Sequence, residues 1–283
     1  MSGFTLYVGH GSRAADGNRE FLEFVEALQA NAGLDNVESC FLELASPTIS
    51  QGITACVGRG AKRIVVVPVI LLAASHVKLE IPEMIDVGRQ RYPDVEFVYG
   101  RNIGLHEGMI DLLVSRYERA RADAAGALDE DTAIVLMGRG SSDPDANGDL
   151  YKIGRQLWER TEVKTVEVCF TGITYPRVPD GIRRALLLGA RRIVVVPYFL
   201  FTGVLIKRMK EVILGIASEH PDVSILVAEY FGMHPRLQEI VLDRVREADA
   251  GEARMNCDLC QYRKMAGHDH GHDHGISAQK VLR

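Results

Sequence analysis

Three side chains able to hold a divalent metal ion stand far apart in the chain. They are His10 in Gly9-His10-Gly11-Ser12, Glu43 in Phe41-Leu42-Glu43-Leu44 and His76 in Ser75-His76-Val77. Two imidazoles and a carboxylate suit a first-row ion such as Co²⁺, Fe²⁺ or Ni²⁺, and three ligands leave coordination positions open for a reaction partner. A lone histidine in a loop is more often a hydrogen-bonding residue than a ligand, so the reading depends on what brings the three together. A second group of potential ligands lies late in the sequence. Cys257-Asp258-Leu259-Cys260 is a CxxC pair, followed by His268, His270, His272 and His274 alternating with Asp and Gly. Such a pair can ligate zinc, hold part of an iron–sulfur cluster or work as a redox couple. A [4Fe–4S] centre ordinarily takes four thiolates, so a cluster here needs a second chain or other ligands. The alternating histidines have the composition of a metal-collecting tail.

The elements that must position these groups alternate in type. Apolar runs with β-branched residues predict strands over 4–8, 37–42, 63–68 and 95–99, and helical periodicity fills 18–30, 49–57, 77–91 and 107–120. The second half repeats the pattern, with strands near 133–137, 166–170, 192–197 and 224–228. Strand–helix alternation predicts parallel sheets with helices on both faces, whose ligands sit beyond the carboxyl ends of the strands. His10 follows the first strand, Glu43 the second, and His76 lies in the connection after the third. All three therefore belong at one edge of one sheet.

The two halves match at one unbroken shift. Gly9-His10-Gly11-Ser12 lies over Gly138-Arg139-Gly140-Ser141, Cys40-Phe41 over Cys169-Phe170, and Pro47 over Pro176; Ala61 to Pro68 falls on Ala190 to Pro197 with only Lys62 replaced, by Arg191. An internal duplication is expected, with lobes at 1–124 and 132–250 joined near 122–131 and a tail from 251 to 283. The copy acts as a control. Arg139, Gly172 and Leu205 occupy the positions of His10, Glu43 and His76, so all three donors vanish together while the strands persist. Donors needed only for the fold should have stayed. His106 and His234, by contrast, open a helix in both halves, which favours a cap-like role, and His220 beside Pro221 reads as inert.

Composition narrows the partners. The 283 residues are 47% hydrophobic and 25% charged, enough apolar content for a substantial core. A net charge of −5 gives no support for a nucleic-acid or anionic-membrane partner. No apolar run is long enough to span a bilayer and the start lacks a signal-peptide pattern, so the cytoplasm is expected. Five mostly scattered cysteines do not read as a disulfide framework. Neither GxGxxG nor a Walker loop follows a predicted strand, which argues against a bound nucleotide.

Gly9-His10-Gly11-Ser12-Arg13, Phe41-Leu42-Glu43-Leu44-Ala45-x-Pro47 and Ser75-His76-Val77-x-x-x-Ile81-Pro82 resemble the CbiX family of sirohydrochlorin chelatases. The second half (Gly138 to Asn147 and Pro197 to Gly203) and Met255-x-Cys257-x-x-Cys260 are similar to its long, two-domain cobaltochelatase form. The resemblance implies an ATP-independent class II chelatase that inserts Co²⁺ into sirohydrochlorin in cobalamin synthesis. It implies metal-handling roles for His10 and His76, with Glu43 as their acidic companion, and an iron–sulfur cluster at Cys257 and Cys260. The substrate would be a polycarboxylate, for which Arg13, Lys78, Arg139, Lys207 and Arg208 are candidate cations. Three alternatives stay open: Fe²⁺ insertion for sirohaem, metal storage or delivery without turnover, and a homodimer as the assembled form.

Overall fold

The computed structural model describes residues 3–122 and 129–253. The first lobe runs β1 (Gly3–Gly9), α1 (Ala15–Ala32), β2 (Val37–Phe41), α2 (Ile49–Gly58), β3 (Arg63–Pro68), α3 (Ile81–Arg91), β4 (Glu96–Tyr99) and α4 (Glu107–Ala122). The second runs β5 (Thr132–Gly138), α5 (Pro144–Glu159), β6 (Thr165–Phe170), α6 (Val178–Leu187), β7 (Arg192–Pro197), α7 (Val204–Glu219), β8 (Ser224–Val227) and α8 (Pro235–Asp249). Every strand pairing is parallel, in the orders β2-β1-β3-β4 and β6-β5-β7-β8. The chain order reverses between β1 and β3, which makes the crevice at their carboxyl ends the natural place for a ligand.

The unbroken apolar runs of β3 and β7 follow from two cores meeting at each strand. Ile64 and Val66 face an outer layer built with α2 and α3, whereas Val65 and Val67 face the middle of the molecule. In β7, Ile193 and Val195 face outward to α6 and α7, and Val194 and Val196 face the same middle. All eight side chains are buried, and each burial is worth about 1.5–3 kcal/mol against leaving the side chain in water.

That middle core is shared, because the lobes exchange their last helices. Helix α4 leaves its own sheet and packs on α5, β7 and β8; α8 returns to cover β3 and β4, and the two helices pack on each other. Sequence periodicity predicts a closing helix for each half but not the sheet it closes. Buried Arg244 of α8 donates to the Ile103 carbonyl at 2.6 and 3.1 Å and to that of Leu105 at 3.2 Å, holding a first-lobe loop. Arg116 of α4 reciprocates with the Phe231 carbonyl at 2.7 Å.

Cys257, Cys260, the proposed cluster and the His-rich segment lie outside the described residues. Cys40, Cys56 and Cys169 are buried free thiols. Among the described residues no helix is long and apolar enough to cross a membrane.

Candidate metal centre

His10 leaves the end of β1, and its backbone sets the position of Glu43. The Leu42 N–H donates to the Gly9 carbonyl at 2.9 Å and the Glu43 N–H to the His10 carbonyl at 3.1 Å, so the loops after β1 and β2 run on side by side past the sheet. Gly11 makes this approach feasible. Its φ is +88°, and a Cβ there would lie 1.8 Å from the Glu43 carbonyl oxygen. Leu44 then turns the chain in the left-handed region at φ 60°, as Ile173 does at φ 66° in the second lobe. Because Ile173 follows a glycine, Gly172, that turn belongs to the fold rather than to the donor.

His76 opens a one-turn π-helix, His76–Glu80, in which the Ile81 N–H reaches back five residues to the His76 carbonyl. Pro82 follows at the start of α3, and its ring cannot tolerate the carbonyl four residues back in an ordinary α-turn. The wider turn relieves that contact, and such turns recur at functional sites. The second lobe has Glu211 in place of Pro82, and α7 there runs as a plain α-helix from Val204.

These local devices bring the three donors together: one ligand atom each from His10, Glu43 and His76 lie within 4.8 Å of one another. The two imidazoles meet edge to face with ring centroids 4.7 Å apart, and Glu43 Oε1 lies 3.7 Å from His10 Nδ1. Both rings are oriented through Nδ1. His10 Nδ1–H donates to the Gly11 carbonyl at 3.0 Å, and His76 Nδ1–H to Glu80 Oε1 at 2.8 Å. In each ring Nε2 takes no part in these bonds, which is how an outer partner at Nδ1 would orient a histidine for an ion. Glu80 was not singled out in the sequence, although a His-x-x-x-Glu spacing in a helical segment signals such a contact. Burial, with help from the charges of Arg139 and His76, pushes the His10 pKa below its ordinary 6.5 and keeps the ring neutral and ligand-competent.

The five candidate substrate cations separate into three groups. Lys78 and Lys207 stand at equivalent positions of the two lobes and serve as cross-lobe latches. Lys78 Nζ donates to Asp143 at 2.8 Å and Asp145 at 2.9 Å, and Lys207 Nζ to Asp16 at 3.2 Å. Each ties the helix after the third strand of one lobe to the start of the first helix of the other. Their partners, far away in sequence, made them look like free cations, and Lys78 at least is committed to the fold. Arg13 and Arg208 are exposed and, among the described residues, pair with no carboxylate. Arg139 is exposed too, and its Nη1 lies 3.4 Å from His10 Nε2, across the cleft from the position it duplicates.

His106 and His234 cap α4 and α8 as the duplication suggested: their Nδ1 atoms accept from the Gly108 N–H at 3.0 Å and the Arg236 N–H at 3.1 Å. A further cross-lobe contact had no sequence signal. Glu20 of α1 accepts from the Thr202 N–H at 2.9 Å and the Tyr230 hydroxyl at 2.8 Å.

Comparison with known proteins identifies the family. The CbiX family model matches twice, over residues 5–120 and 133–248. A sirohydrochlorin cobaltochelatase of Priestia megaterium is 49% identical over 91% of this chain and 84% of its own length. A sirohydrochlorin ferrochelatase of the same organism is 38% identical over 85% of this chain and 88% of its own length. The solved structure of SirB from Bacillus subtilis with Fe³⁺ superposes with a TM-score of 0.78 at 36% identity, covering 90% of this chain and all of that one. With one copy of the family domain in each lobe, the chain belongs to the CbiX family of sirohydrochlorin chelatases.

Proposed function

We propose that the protein inserts Co²⁺ into sirohydrochlorin, releasing two protons, as a step toward cobalamin, and that His10, His76 and Glu43 present the ion. The observation carrying this is the set of three donors within 4.8 Å at the carboxyl end of the first sheet, facing a second lobe whose equivalent positions hold Arg139, Gly172 and Leu205 instead. Insertion needs an ion that is held yet surrendered, and neutral imidazole binds Co²⁺ in competition with protons. Three protein ligands leave coordination sites for the pyrrole nitrogens to occupy before the protein lets go. The departing protons need an acceptor within about 3 Å or one water, and Glu43 and the histidines are the basic groups at the mouth. Arg13, Arg139, Arg208 and the exposed Lys207 are the cations left to meet the carboxylates of the substrate. The ligand-poor lobe supports turnover over storage, since storage gains nothing from it.

Fe²⁺ is the second reading, favoured by the ferrochelatase relative at 38% identity against 49% for the cobaltochelatase. One experiment tests both. Purified protein is given sirohydrochlorin with Co²⁺, Fe²⁺ or Ni²⁺ at matched free concentrations under anaerobic conditions, and insertion is followed by the absorption of the macrocycle. Fastest turnover with Co²⁺ is expected, and faster turnover with Fe²⁺ would move the assignment to sirohaem. His10→Ala and His76→Ala should each nearly abolish insertion without unfolding the chain; wild-type rates in either would remove the metal centre.

A further inference from the structure

We propose that Arg139 gates the metal centre: its guanidinium covers the free lone pair of His10 until a carboxylate of the tetrapyrrole draws it away. This rests on the chelatase reading above and adds an order to it. His10 Nδ1 is committed to the Gly11 carbonyl at 3.0 Å, which leaves Nε2 as the nitrogen that can ligate an ion. Arg139 Nη1 stands 3.4 Å from that same Nε2. A guanidinium has donors only, so it can approach Nε2 only as a donor to its lone pair. One lone pair cannot serve both an N–H and a metal, and the fixed positive charge adds repulsion against a divalent ion.

The hold is weak. The contact is long, Arg139 is exposed, and among the described residues no carboxylate anchors it. A substrate carboxylate can accept two parallel N–H bonds from the same fork, a stronger arrangement than one long bond to an imidazole. His10 and Arg139 are equivalent residues of the two copies, 129 positions apart, and they face each other across the gap between lobes. A flat polycarboxylate entering that gap meets Arg139 as it approaches His10. Its arrival removes the cover and the charge together, so tetrapyrrole and metal bind with positive coupling, and the coupling is reciprocal. The empty protein thereby avoids sequestering ions it cannot yet insert.

The gate makes two predictions of opposite sign for one substitution. Full-length wild type, Arg139→Leu and Arg139→Gln are titrated with Co²⁺ alone at low ionic strength by calorimetry. A His10→Ala/His76→Ala variant, which keeps every histidine of 261–283, supplies the background to subtract. Both Arg139 variants should bind Co²⁺ at the centre about tenfold more tightly than wild type, while their KM for sirohydrochlorin rises. Damage to the fold would weaken both, and a mere rim cation would change only the KM; either result overturns the gate. Failure of the underlying site reads differently: the double variant would then bind Co²⁺ as tightly as wild type, leaving nothing for Arg139 to cover.

Discussion

Replacing Lys78 by methionine should destabilise the protein far more than the same change at Lys207, although the two lysines are copies of one position. The Lys78 side chain is 17% exposed, and its partners Asp143 and Asp145 are 7% and 68% exposed. Asp145 rehydrates once the ammonium is gone, so its share of the loss is below about 0.5 kcal/mol. Asp143 cannot rehydrate. It keeps one bond, accepting from the Asp145 N–H at 3.0 Å as the cap of α5, but its other oxygen loses a charged partner in a buried setting. An uncompensated buried carboxylate costs about 3–5 kcal/mol; relief of the buried lysine and retained packing of the methionine stem return part of it, for a net of about 2–3 kcal/mol. At Lys207, exposed to 61% beside an Asp16 exposed to 46%, both groups rehydrate when the pair is broken, so the loss should be slight and shrink further with salt. Thermal melts at neutral pH should show drops of roughly 4–12 °C for Lys78→Met and about 1 °C for Lys207→Met. A Lys78→Met/Asp143→Asn cycle should return about 1–2 kcal/mol of coupling. Equal losses at the two lysines, or none at Lys78, would refute the assignment of Lys78 as a buried latch.

Three further outcomes are expected. The titration midpoint of His10, followed by NMR of its ring protons, should lie below 6.5: burial and the nearby charges of Arg139 and His76 disfavour the imidazolium, so the ring stays neutral as pH falls past 6.5 and protonates only lower. A midpoint at or above 6.5 would contradict the geometry around it. Gly11→Ala should cost more than about 3 kcal/mol of stability in denaturant, or displace Glu43 and its activity, because the new Cβ meets a backbone oxygen in a left-handed residue; a variant as stable and active as wild type would show that the two loops can part freely. Glu80→Ala should weaken Co²⁺ binding at the centre about 10–100-fold with little change in melting temperature, by freeing the His76 ring to turn. Unchanged affinity would mean that the ring is held by its neighbours instead.

The duplication, the parallel sheets and the three donors were legible because each has a linear signature. The Arg-Ile-Val-Val-Val-Pro run of β3 recurs in β7 at an unbroken shift, and strand ends in a parallel sheet point one way. The pairings of Lys78 and Lys207 are not legible in the sequence, for a physical reason. A sequence shows that a lysine is available, but its partner, an aspartate in the other lobe, is decided by how two separate sheets dock. The same limit hid Glu20 and the exchanged helices: periodicity in α4 or α8 reveals an apolar stripe without naming the surface that covers it. Glu80 is within reach of the sequence, since its four-residue spacing from His76 is local and the contact needs only one turn of helix.

The crossing of α4 and α8 carries a consequence for the history of such a chain. A single half standing alone would expose the sheet face that the opposite half's final helix protects, and would have nowhere to lay its own. Two identical halves, each lending the other a helix, satisfy one another completely, so the fused chain reads as a covalent version of a handshake between twins. Fusion would release such twins from sameness. One arm could then surrender its donors for an arginine, a step that two separate identical subunits cannot take without losing the other arm's site as well.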